Sequence, residues 1–416
     1  MTYFSYNRTL YSVRARYTSD CMQIGIVGKP NVGKSTFFGA ATMAPVEIAN
    51  YPFTTIAATK GVGYVRSKCP CKELGVTCTP HNSGCVDGVR MIPVELLDVA
   101  GLVPDAWQGK GLGNQFLDDL RQADALINVI DVSGSTDIEG VPGKPGEHDP
   151  IEDVVFLRRE IELWIREILN NGFGKIARTA KMTGAKPEVI LHERLAGLNI
   201  TEAQIKTAVR AVNPPEDPTK WDEDIILSLA QKIREIGKPM IIAMNKADIA
   251  PEGNVEKVRA ISDMAVVTMA ETELALKKAN DGGLVNYTPG DRSFTIPEGT
   301  KLNDGQKRAL DYMAANMEKN GGTGVQECLE QAAFGLLDLI TVYPVEDENK
   351  YTDHFGRVLP DAFLVPRGST AKDLAYKVHT ELGDKFIRAV NAKTKRTVGS
   401  DYILQDGDVI RIIADR

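Results

Sequence analysis

A glycine-rich segment near the start of the chain has the residue types and spacing of a phosphate-binding loop. Residues 28–36 read G-K-P-N-V-G-K-S-T, follow the apolar run 24–27 and precede an apolar segment suited to a helix. Glycines let the backbone approach phosphate oxygens, while the loop amides and the helix start supply donors. The competing interpretation is a glycine turn that binds nothing. The pattern G-x-x-x-x-G-K-[ST] predicts nucleotide contacts, with Lys34 at the β- and γ-phosphates as a candidate catalytic residue and Ser35 on Mg²⁺. The predicted contacts are Asn31, Val32, Gly33, Lys34, Ser35 and Thr36.

Two further segments stand where sensors of the γ-phosphate would be needed. The run Y-P-F-T-T ends about twenty residues beyond the loop, so Thr55 is the candidate sensor of Mg²⁺ and γ-phosphate, with Phe53 and Thr54 beside it. Asp98 ends an apolar strand in D-x-x-G, and we expect it to hold the Mg²⁺ shell while Gly101 turns its amide to the γ-phosphate. A Thr-Thr pair by itself also has the ordinary interpretation of strand propensity.

The motif N-K-x-D, formed by Asn245, Lys246 and Asp248, follows another apolar strand. The Asp248 carboxylate can accept hydrogen bonds from N1–H and the exocyclic amine of guanine, and adenine offers neither donor, so the motif predicts GTP. Lys246 is expected to lie over the base and Asn245 to tie this loop to the phosphate loop. Of the usual Ser-Ala element near 266–270 only Ala270 matches, as a further candidate contact.

Leu102 stands where Ras-type GTPases have a glutamine that orients the attacking water. Leucine neither donates nor accepts a hydrogen bond, so intrinsic hydrolysis is expected to be slow and to depend on backbone groups, another residue or a partner. We add the hypothesis that Asn31 helps to hold a K⁺ ion in place of an arginine finger. Equal hydrolysis rates in Na⁺ and K⁺ buffers would contradict it.

The composition excludes a membrane protein and wholesale coating of nucleic acid. The chain has 416 residues, a net charge of −7 and a pI of about 5.5, and no apolar run approaches the roughly 18 to 20 residues that span a bilayer. We expect a soluble, cytoplasmic monomer. Residues 1–21 carry Arg8, Arg14 and Arg16 before the first acid, so we favour a flexible extension over an organelle transit peptide.

Four of the six cysteines lie within seventeen residues, between the first sensor segment and Asp98. Four thiolates can enclose a tetrahedral Zn²⁺, but the spacing C-x-C-x6-C-x6-C differs from the usual paired C-x2-C. The competing interpretation is a loop with reduced thiols. These candidate zinc ligands are Cys69, Cys71, Cys78 and Cys85.

Two segments lie outside the nucleotide motifs. Residues 150–221 have apolar residues at helical spacing, with further helices near 187–197 and from Thr201, its candidate N-cap, to Val212. Residues 158–194 contain eight basic and five acidic residues, which suits either RNA contact or a solvated face. From about residue 341 the pattern predicts short strands around a capped helix, again with a local excess of basic residues.

Residues 28–36, 51–55, 98–103 and 109–117 together resemble the Obg superfamily of translation-factor-class GTPases, and most closely its YchF-related branch in an archaeal-type form. The resemblance implies an α/β P-loop GTPase with a doubly wound, mostly parallel sheet, a helical and partly coiled-coil insertion, and a C-terminal β-grasp TGS domain. The implied division is an N-terminal extension (1–21), a GTPase domain in two parts (22–149 and 222–340), the insertion (150–221) and the TGS domain (341–416).

The resemblance further implies GTP or GDP with Mg²⁺, and a ribosome or RNA partner contacted through the insertion and the TGS domain. Well-known YchF relatives have a degenerate base motif and use ATP, whereas this chain keeps N-K-x-D, so we infer GTP. Two alternatives stay open: a nucleotide-gated RNA-binding protein with negligible hydrolysis, and ATP use.

Overall fold

Two β-sheets organise the part of the chain that the computed structural model describes, which comprises residues 22–43, 60–99, 101, 104 and 113–415. The strands of the first sheet are β1 (Gln23–Val27), β2 (Lys60–Lys68), β3 (Gly84–Val86), β4 (Val89–Asp98), β5 (Ala125–Asp131), β6 (Met240–Asn245) and β7 (Ala265–Val267). The strands of the second are β8 (Leu339–Val345), β9 (Phe363–Pro366), β10 (Phe386–Asn391), β11 (Arg396–Val398) and β12 (Val409–Ala414).

Helices pack around both sheets. In chain order they are α1 (Lys34–Thr42), α2 (Cys71–Leu74), α3 (Gly113–Gln122), α4 (Pro150–Asn170), α5 (Phe173–Thr183), α6 (Pro187–Leu195), α7 (Glu202–Val212), α8 (Glu223–Gly237), α9 (Asn254–Ile261), α10 (Ala270–Asp281), α11 (Asp304–Asn320), α12 (Val325–Glu330), α13 (Ala371–Val378) and α14 (Thr380–Asp384). A π-helical segment, Gln331–Leu336, continues α12.

The first sheet has the order β2-β4-β1-β5-β6-β7, with β3 paired to β4. Strands β4, β1, β5, β6 and β7 pair in parallel, whereas β2 and β3 join β4 antiparallel. The predicted mostly parallel sheet is therefore confirmed. Strand β1 lies between β4 and β5, so the strand order reverses direction at β1. Doubly wound sheets bind ligands in the crevice at the carboxyl ends of the strands where the order reverses.

The segment between β5 and β6 is helical, as predicted. Helix α4 packs on α8, and α8 packs on α7. Thr201 caps α7 with a capping box completed by Gln204, which confirms the predicted N-cap and follows from the T-x-x-Q pattern. The ring centroids of Phe173 and Trp221 are 5.6 Å apart in a stacked pair, which joins the start of α5 to the residues just before α8. The coiled-coil character of the insertion stays a prediction.

The second sheet has the order β11-β10-β12-β8-β9 and carries α13 on one face, which is the predicted β-grasp arrangement. All seven residues of β8 are buried because each face of the strand packs into a different apolar core. Ile340 and Val342 lie in the core with α13, while Leu339, Tyr343 and Val345 lie in the main core of the first sheet. Alternate strand residues point to opposite faces, so the second sheet packs face-on against the rest of the protein.

The predicted domain boundaries stay predictions, although the second sheet begins at Leu339, two residues before the predicted start of the last domain. None of the helices in the described ranges combines the length and the apolar character needed to cross a membrane.

Candidate functional site

The predicted phosphate loop lies at the carboxyl end of β1, at the centre of the sheet. Gly33 has a φ of 92°, a left-handed value that favours glycine. A Cβ at this position would collide with the side-chain nitrogen Nδ2 of Asn245. Helix α1 begins at the next residue, with no side-chain cap and no acidic residue in its first turn. The free amides at such a helix start attract an anion, so the loop has the donor set that phosphate requires.

Lys34 and Asp98 meet beside this loop. The Lys34 Nζ donates to Asp98 Oδ1 at 2.8 Å, and both side chains are partly exposed, by 13% and 24%. Asp98 arrives there because β4 pairs in parallel with β1, which sets Asp98 opposite Ile26. Gly101 lies against the loop as well, since a Cβ at Gly101 would be 3.6 Å from Pro30 Cγ. Three predicted site residues from two segments thus come together.

The loop after β6 is joined to the phosphate loop through one buried amide side chain. The Asn245 Nδ2 donates to Val32 O at 2.9 Å, and Asn245 Oδ1 accepts from the Ala270 amide at 3.0 Å. Asn245 is only 3% exposed. The predicted tie between the two loops is therefore present, whereas Ala270, at the start of α10, has its amide occupied by Asn245.

Lys246 and Asp248 continue from Asn245 with different partners. Lys246 has a φ of 61°, and its Nζ pairs with Asp131 Oδ2 at 2.8 Å. The Asp248 carboxylate accepts from the hydroxyl of Tyr312 on α11 at 3.2 Å. Asp248 is partly exposed, so its carboxylate is accessible to a base while Tyr312 orients it.

Asp131, which ends β5, is the centre of a polar group that the sequence analysis missed. Its carboxylate accepts from Lys246 and from the hydroxyls of Ser133, Ser135 and Thr136. Burial alone would raise the pKa of Asp131, but the hydrogen bonds from Lys246 and the serines hold that pKa below its usual value. An aspartate that ends a strand and precedes the hydroxyl-rich run D-x-S-x-S-T was the available signal.

The loop after β5 and helix α4 also contact the phosphate loop. The Lys29 Nζ forms a buried ion pair with Asp153 Oδ1 on α4 at 2.6 Å and donates to Thr136 O at 2.8 Å. Asn31 Nδ2 donates to Gly140 O at 2.9 Å. Burial raises the pKa of Asp153 to about 6, and Lys29 opposes that rise. No pattern in the sequence singled out the Lys29–Asp153 pair, because its partners are 124 residues apart.

Ser35 and Thr36 follow Lys34 in the first turn of α1, where Ser35 is exposed and Thr36 is half-buried. Phe53, Thr54, Thr55 and Leu102 lie outside the described residues, so the sensor and water-positioning hypotheses stay predictions. The amide of Asn31 is engaged by Gly140, and its role in holding K⁺ likewise stays a hypothesis.

The four clustered cysteines converge at the opposite end of the β2–β4 pair. The sulfur atoms of Cys69, Cys71, Cys78 and Cys85, hereafter the cysteine cluster, all lie within 4.8 Å of one another. Cys69 and Cys71 are buried, while Cys78 and Cys85 are half-buried. A hydrogen bond from Cys85 and the nearby charge of Arg90 lower the pKa of the Cys69 thiol to about 5, although burial opposes this.

Comparison with known proteins adds three family models. One described as a 50S ribosome-binding GTPase matches residues 23–159. The G4 motif-containing domain of YGR210-like, Obg-like GTPases matches 243–347, and the TGS domain matches 356–414.

Similar proteins extend over nearly the whole chain. A GTP-binding protein of Methanocaldococcus jannaschii is 55% identical over 394 residues, covering 94% of this chain and 98% of its own. The ribosome-binding ATPase YchF of Bacillus subtilis is 28% identical, covering 93% and 97%. The crystal structure of a GTP-binding protein from Pyrococcus horikoshii OT3 superposes with a TM-score of 0.76 at 42% identity, covering 95% of this chain and all of that one.

Proposed function

Because this chain belongs to the YchF/Obg-like GTPase family, we propose that it binds GTP with Mg²⁺ and hydrolyses GTP to GDP and phosphate as a conformational switch. The observation that carries the proposal is the bridge through Asn245. It fixes the loop that carries Asp248 against the loop that carries Lys34, so groups suited to a guanine base and to phosphates lie on two joined loops at the carboxyl ends of β6 and β1.

The donor set fits a nucleoside triphosphate and its metal ion. Lys34 and the uncapped start of α1 attract an anion, while Asp98 and Ser35 offer the oxygen ligands that Mg²⁺ prefers. Bound Mg²⁺ supplies neutralisation of charge on the phosphates. Lys34 and Asp98 pair with each other in this structure, and we propose that both exchange partners on binding, Lys34 for phosphate and Asp98 for the metal ion. Through this exchange, nucleotide binding would change the contacts of Asp98 at the end of β4, with Thr55 and Gly101 as sensors of the γ-phosphate.

The preference for guanine rests on Asp248. Its carboxylate accepts from Tyr312 and remains partly exposed, so it can accept from the two guanine donors. Lys246 is held by Asp131, which fixes the aliphatic stem of Lys246 for contact with the base. A relative is named an ATPase, and ATP use is therefore the alternative that an experiment must test.

Slow turnover is part of the proposal. With leucine at position 102, the attacking water must be oriented by backbone groups, by a cation near Asn31 or by a partner. The YchF relative is named ribosome-binding. Helix α5 carries Lys175, Arg178 and Lys181 and no acidic residue, and all three basic side chains are exposed. We propose that this helix, with the TGS domain, contacts ribosomal RNA in the cytoplasm.

Titration calorimetry with GTP and ATP tests the base assignment. We expect wild type to prefer GTP by at least about 100-fold, because adenine offers the Asp248 carboxylate neither of the two donors that guanine offers. Asp248→Asn should lose most of that preference, whereas Asp311→Asn, an exposed aspartate on α11, should keep it. Tighter binding of ATP by wild type would overturn the assignment to guanine.

Phosphate release under multiple turnover tests the switch. We expect slow release that rises when ribosomes are added and that is faster in K⁺ than in Na⁺. Absence of turnover under every condition, together with tight GTP binding, would favour a nucleotide-gated binding protein.

Cosedimentation with ribosomes at increasing salt tests the partner. The double variant Lys175→Glu and Arg178→Glu should bind less and with a shallower salt dependence, because each phosphate contact that is lost removes counterion release. Lys257→Glu together with Arg259→Glu, at two exposed positions of α9, is the matched double charge reversal and should bind as wild type does. Unchanged binding by the double variant would exclude α5 as the contact.

A further inference from the structure

We propose that the cysteine cluster binds one Zn²⁺ ion as a tetrahedral tetrathiolate, and that this zinc site holds the C-terminal β-grasp sheet against the GTPase sheet. The cysteine cluster contains none of the residues assigned to nucleotide binding, so zinc binding there does not depend on which nucleotide the protein takes.

The positions of the sulfur atoms fit such a site. A zinc–sulfur bond of about 2.3 Å places the corners of a regular tetrahedron about 3.8 Å apart. The Cys69 and Cys78 sulfurs are 4.0 Å apart, and all four lie within 4.8 Å of one another. Small side-chain adjustments therefore suffice to bring four ligands to one ion.

The four ligands come from separate local structures that converge on one point. Cys69 follows β2, Cys71 begins α2, Cys78 lies in the next loop and Cys85 lies on β3. Helix α2 has only four residues, and its end is turned by Gly75 at a φ of 64°. Such short elements bury little apolar surface of their own, and bound metal commonly supplies the missing stability in small units of this kind.

Charge balance points in the same direction. When Zn²⁺ binds, each thiol that is still protonated releases its proton to solvent and forms a zinc–sulfur bond, and four thiolates around one Zn²⁺ carry a net charge of −2. Arg90 lies directly opposite Cys85 in the antiparallel β3–β4 ladder, and its side chain is fully buried. Its Nε has no hydrogen-bond partner among the described residues. A buried guanidinium beside the cluster is a costly arrangement unless negative charge accompanies it.

The loop that contains the cluster is also the contact surface for the C-terminal sheet. The Thr79 amide donates to Val358 O at 2.8 Å, and the His81 amide donates to Pro360 O at 2.7 Å. Asn82 exchanges two hydrogen bonds with the backbone of Ala362, at 2.9 and 3.1 Å.

Side chains extend this junction on both sides of the loop. Arg90 donates to Leu359 O at 2.5 Å, and its guanidinium lies 5.3 Å from the ring centre of Tyr343 on β8. Lys393 pairs with Glu73 on α2 at 2.7 Å. Cys69 and Cys71 share one apolar core with Tyr343 and other residues of the C-terminal part. Zinc binding would therefore restrict the motion of the cysteine loop, whose residues 79–82 form the hydrogen bonds to residues 358–362 of the C-terminal part.

Metal analysis of the full-length protein, purified without added zinc, tests the site. We expect one zinc ion per chain, released when a mercurial titrates the thiols, and Co²⁺ replacement that gives the absorption of tetrahedral thiolate coordination. Cys78→Ser and Cys85→Ser should lower zinc retention by at least about tenfold. Cys328→Ala, which changes a buried cysteine outside the cluster, should retain zinc as wild type does. Protein with free or disulfide-bonded cluster cysteines and no metal, which also fails to take up Co²⁺, would overturn the site.

Hydrogen exchange tests the junction. Removal of zinc by a chelator should increase exchange at the non-proline amides of 79–82 and 358–362, and re-addition of Zn²⁺ alone should restore protection. GTP affinity, measured in parallel, is expected to stay within about twofold, which separates this proposal from the proposed function. Unchanged exchange in a protein that has lost its zinc would overturn the role at the junction.

Discussion

The two ends of the β2–β4 pair differ in the burial and the bonding partners of their polar side chains. At one end Lys60 pairs with Leu97, next to Asp98 and the phosphate loop, and at the other Lys68 pairs with Val89, next to the cysteine cluster. Eight residue steps of extended strand separate them by about 26 Å. One antiparallel pair of strands thus extends from the proposed nucleotide site to the loop that contacts the C-terminal sheet.

At the proposed nucleotide end one ion pair is partly exposed, and this is the pair for which we proposed an exchange of partners. That pair is Lys34–Asp98, in contrast to the neighbouring Lys29–Asp153 pair, whose side chains are 3% and 5% exposed. At the cysteine end the polar groups converge, are mostly buried, and include a guanidinium nitrogen without a partner among the described residues. A switch requires pairs that can be replaced, whereas a junction requires contacts that persist.

The largest expected effect is at the nucleotide end. Lys34→Ala should reduce GTP turnover by at least about 100-fold, because it removes the cation that is positioned to stabilise charge on the phosphates. Phosphate release under saturating GTP measures it, with Lys257→Ala as the control. Zinc content and hydrogen exchange at 358–362 should not change. If turnover stayed within about threefold of wild type, the proposal that Lys34 is a catalytic residue would be wrong.

Arg90→Met should affect the other end. The change leaves Leu359 O without its donor and removes the charge beside the cluster, which we expect to cost about 3 kcal/mol of local stability at the junction. Hydrogen exchange at 358–362 measures it, and GTP affinity should stay near that of wild type. Exchange like that of wild type would show that Arg90 does not hold the junction.

Asn245→Ala should cost about 2 kcal/mol in GTP affinity, because it removes two buried hydrogen bonds that join the loops. Calorimetry measures the loss. Asn245→Asp is the matched variant: it keeps an acceptor for the Ala270 amide but loses the donor to Val32 O, so its affinity should also fall. Unchanged affinity in both variants would mean that the bridge does not position the base-recognition loop.

The smallest effect is expected at Asp131. Asp131→Asn should lower the free energy of unfolding by about 1 to 2 kcal/mol at pH 7, since the ionised carboxylate is held by Lys246 and three hydroxyls. Because the folded protein lowers the pKa of Asp131, this stabilisation is present above the unfolded value near about 4 and is lost as pH falls through the folded pKa. Urea unfolding at pH 7 and at lower pH should show the difference shrinking, and a constant difference would contradict the assignment.

Motif spacing predicted much of this molecule because it encodes local geometry. A strand, a glycine loop and a lysine at the next helix start predicted where Lys34 lies, and D-x-x-G and N-K-x-D at strand ends predicted that Asp98 and Asn245 would reach the same sheet edge. Parallel strands bring their carboxyl ends together, so the sequence alone suffices to place strand-end residues at one edge of the sheet. The helical insertion, its Thr201 cap and the short C-terminal strands around a capped helix followed in the same way from local patterns, whereas the β-grasp arrangement of those strands was implied by the family resemblance.

Tertiary structure alone decided which partners those residues have. Lys29 with Asp153, Tyr312 with Asp248 and Asn82 with Ala362 are contacts between residues far apart in the chain, and no local propensity encodes them. The cysteine spacing left both zinc and free thiols open as interpretations, and only the folding of β2, α2 and β3 brought the four sulfurs to one point. Local patterns specify which element a residue occupies, whereas the packing of those elements specifies what the residue touches.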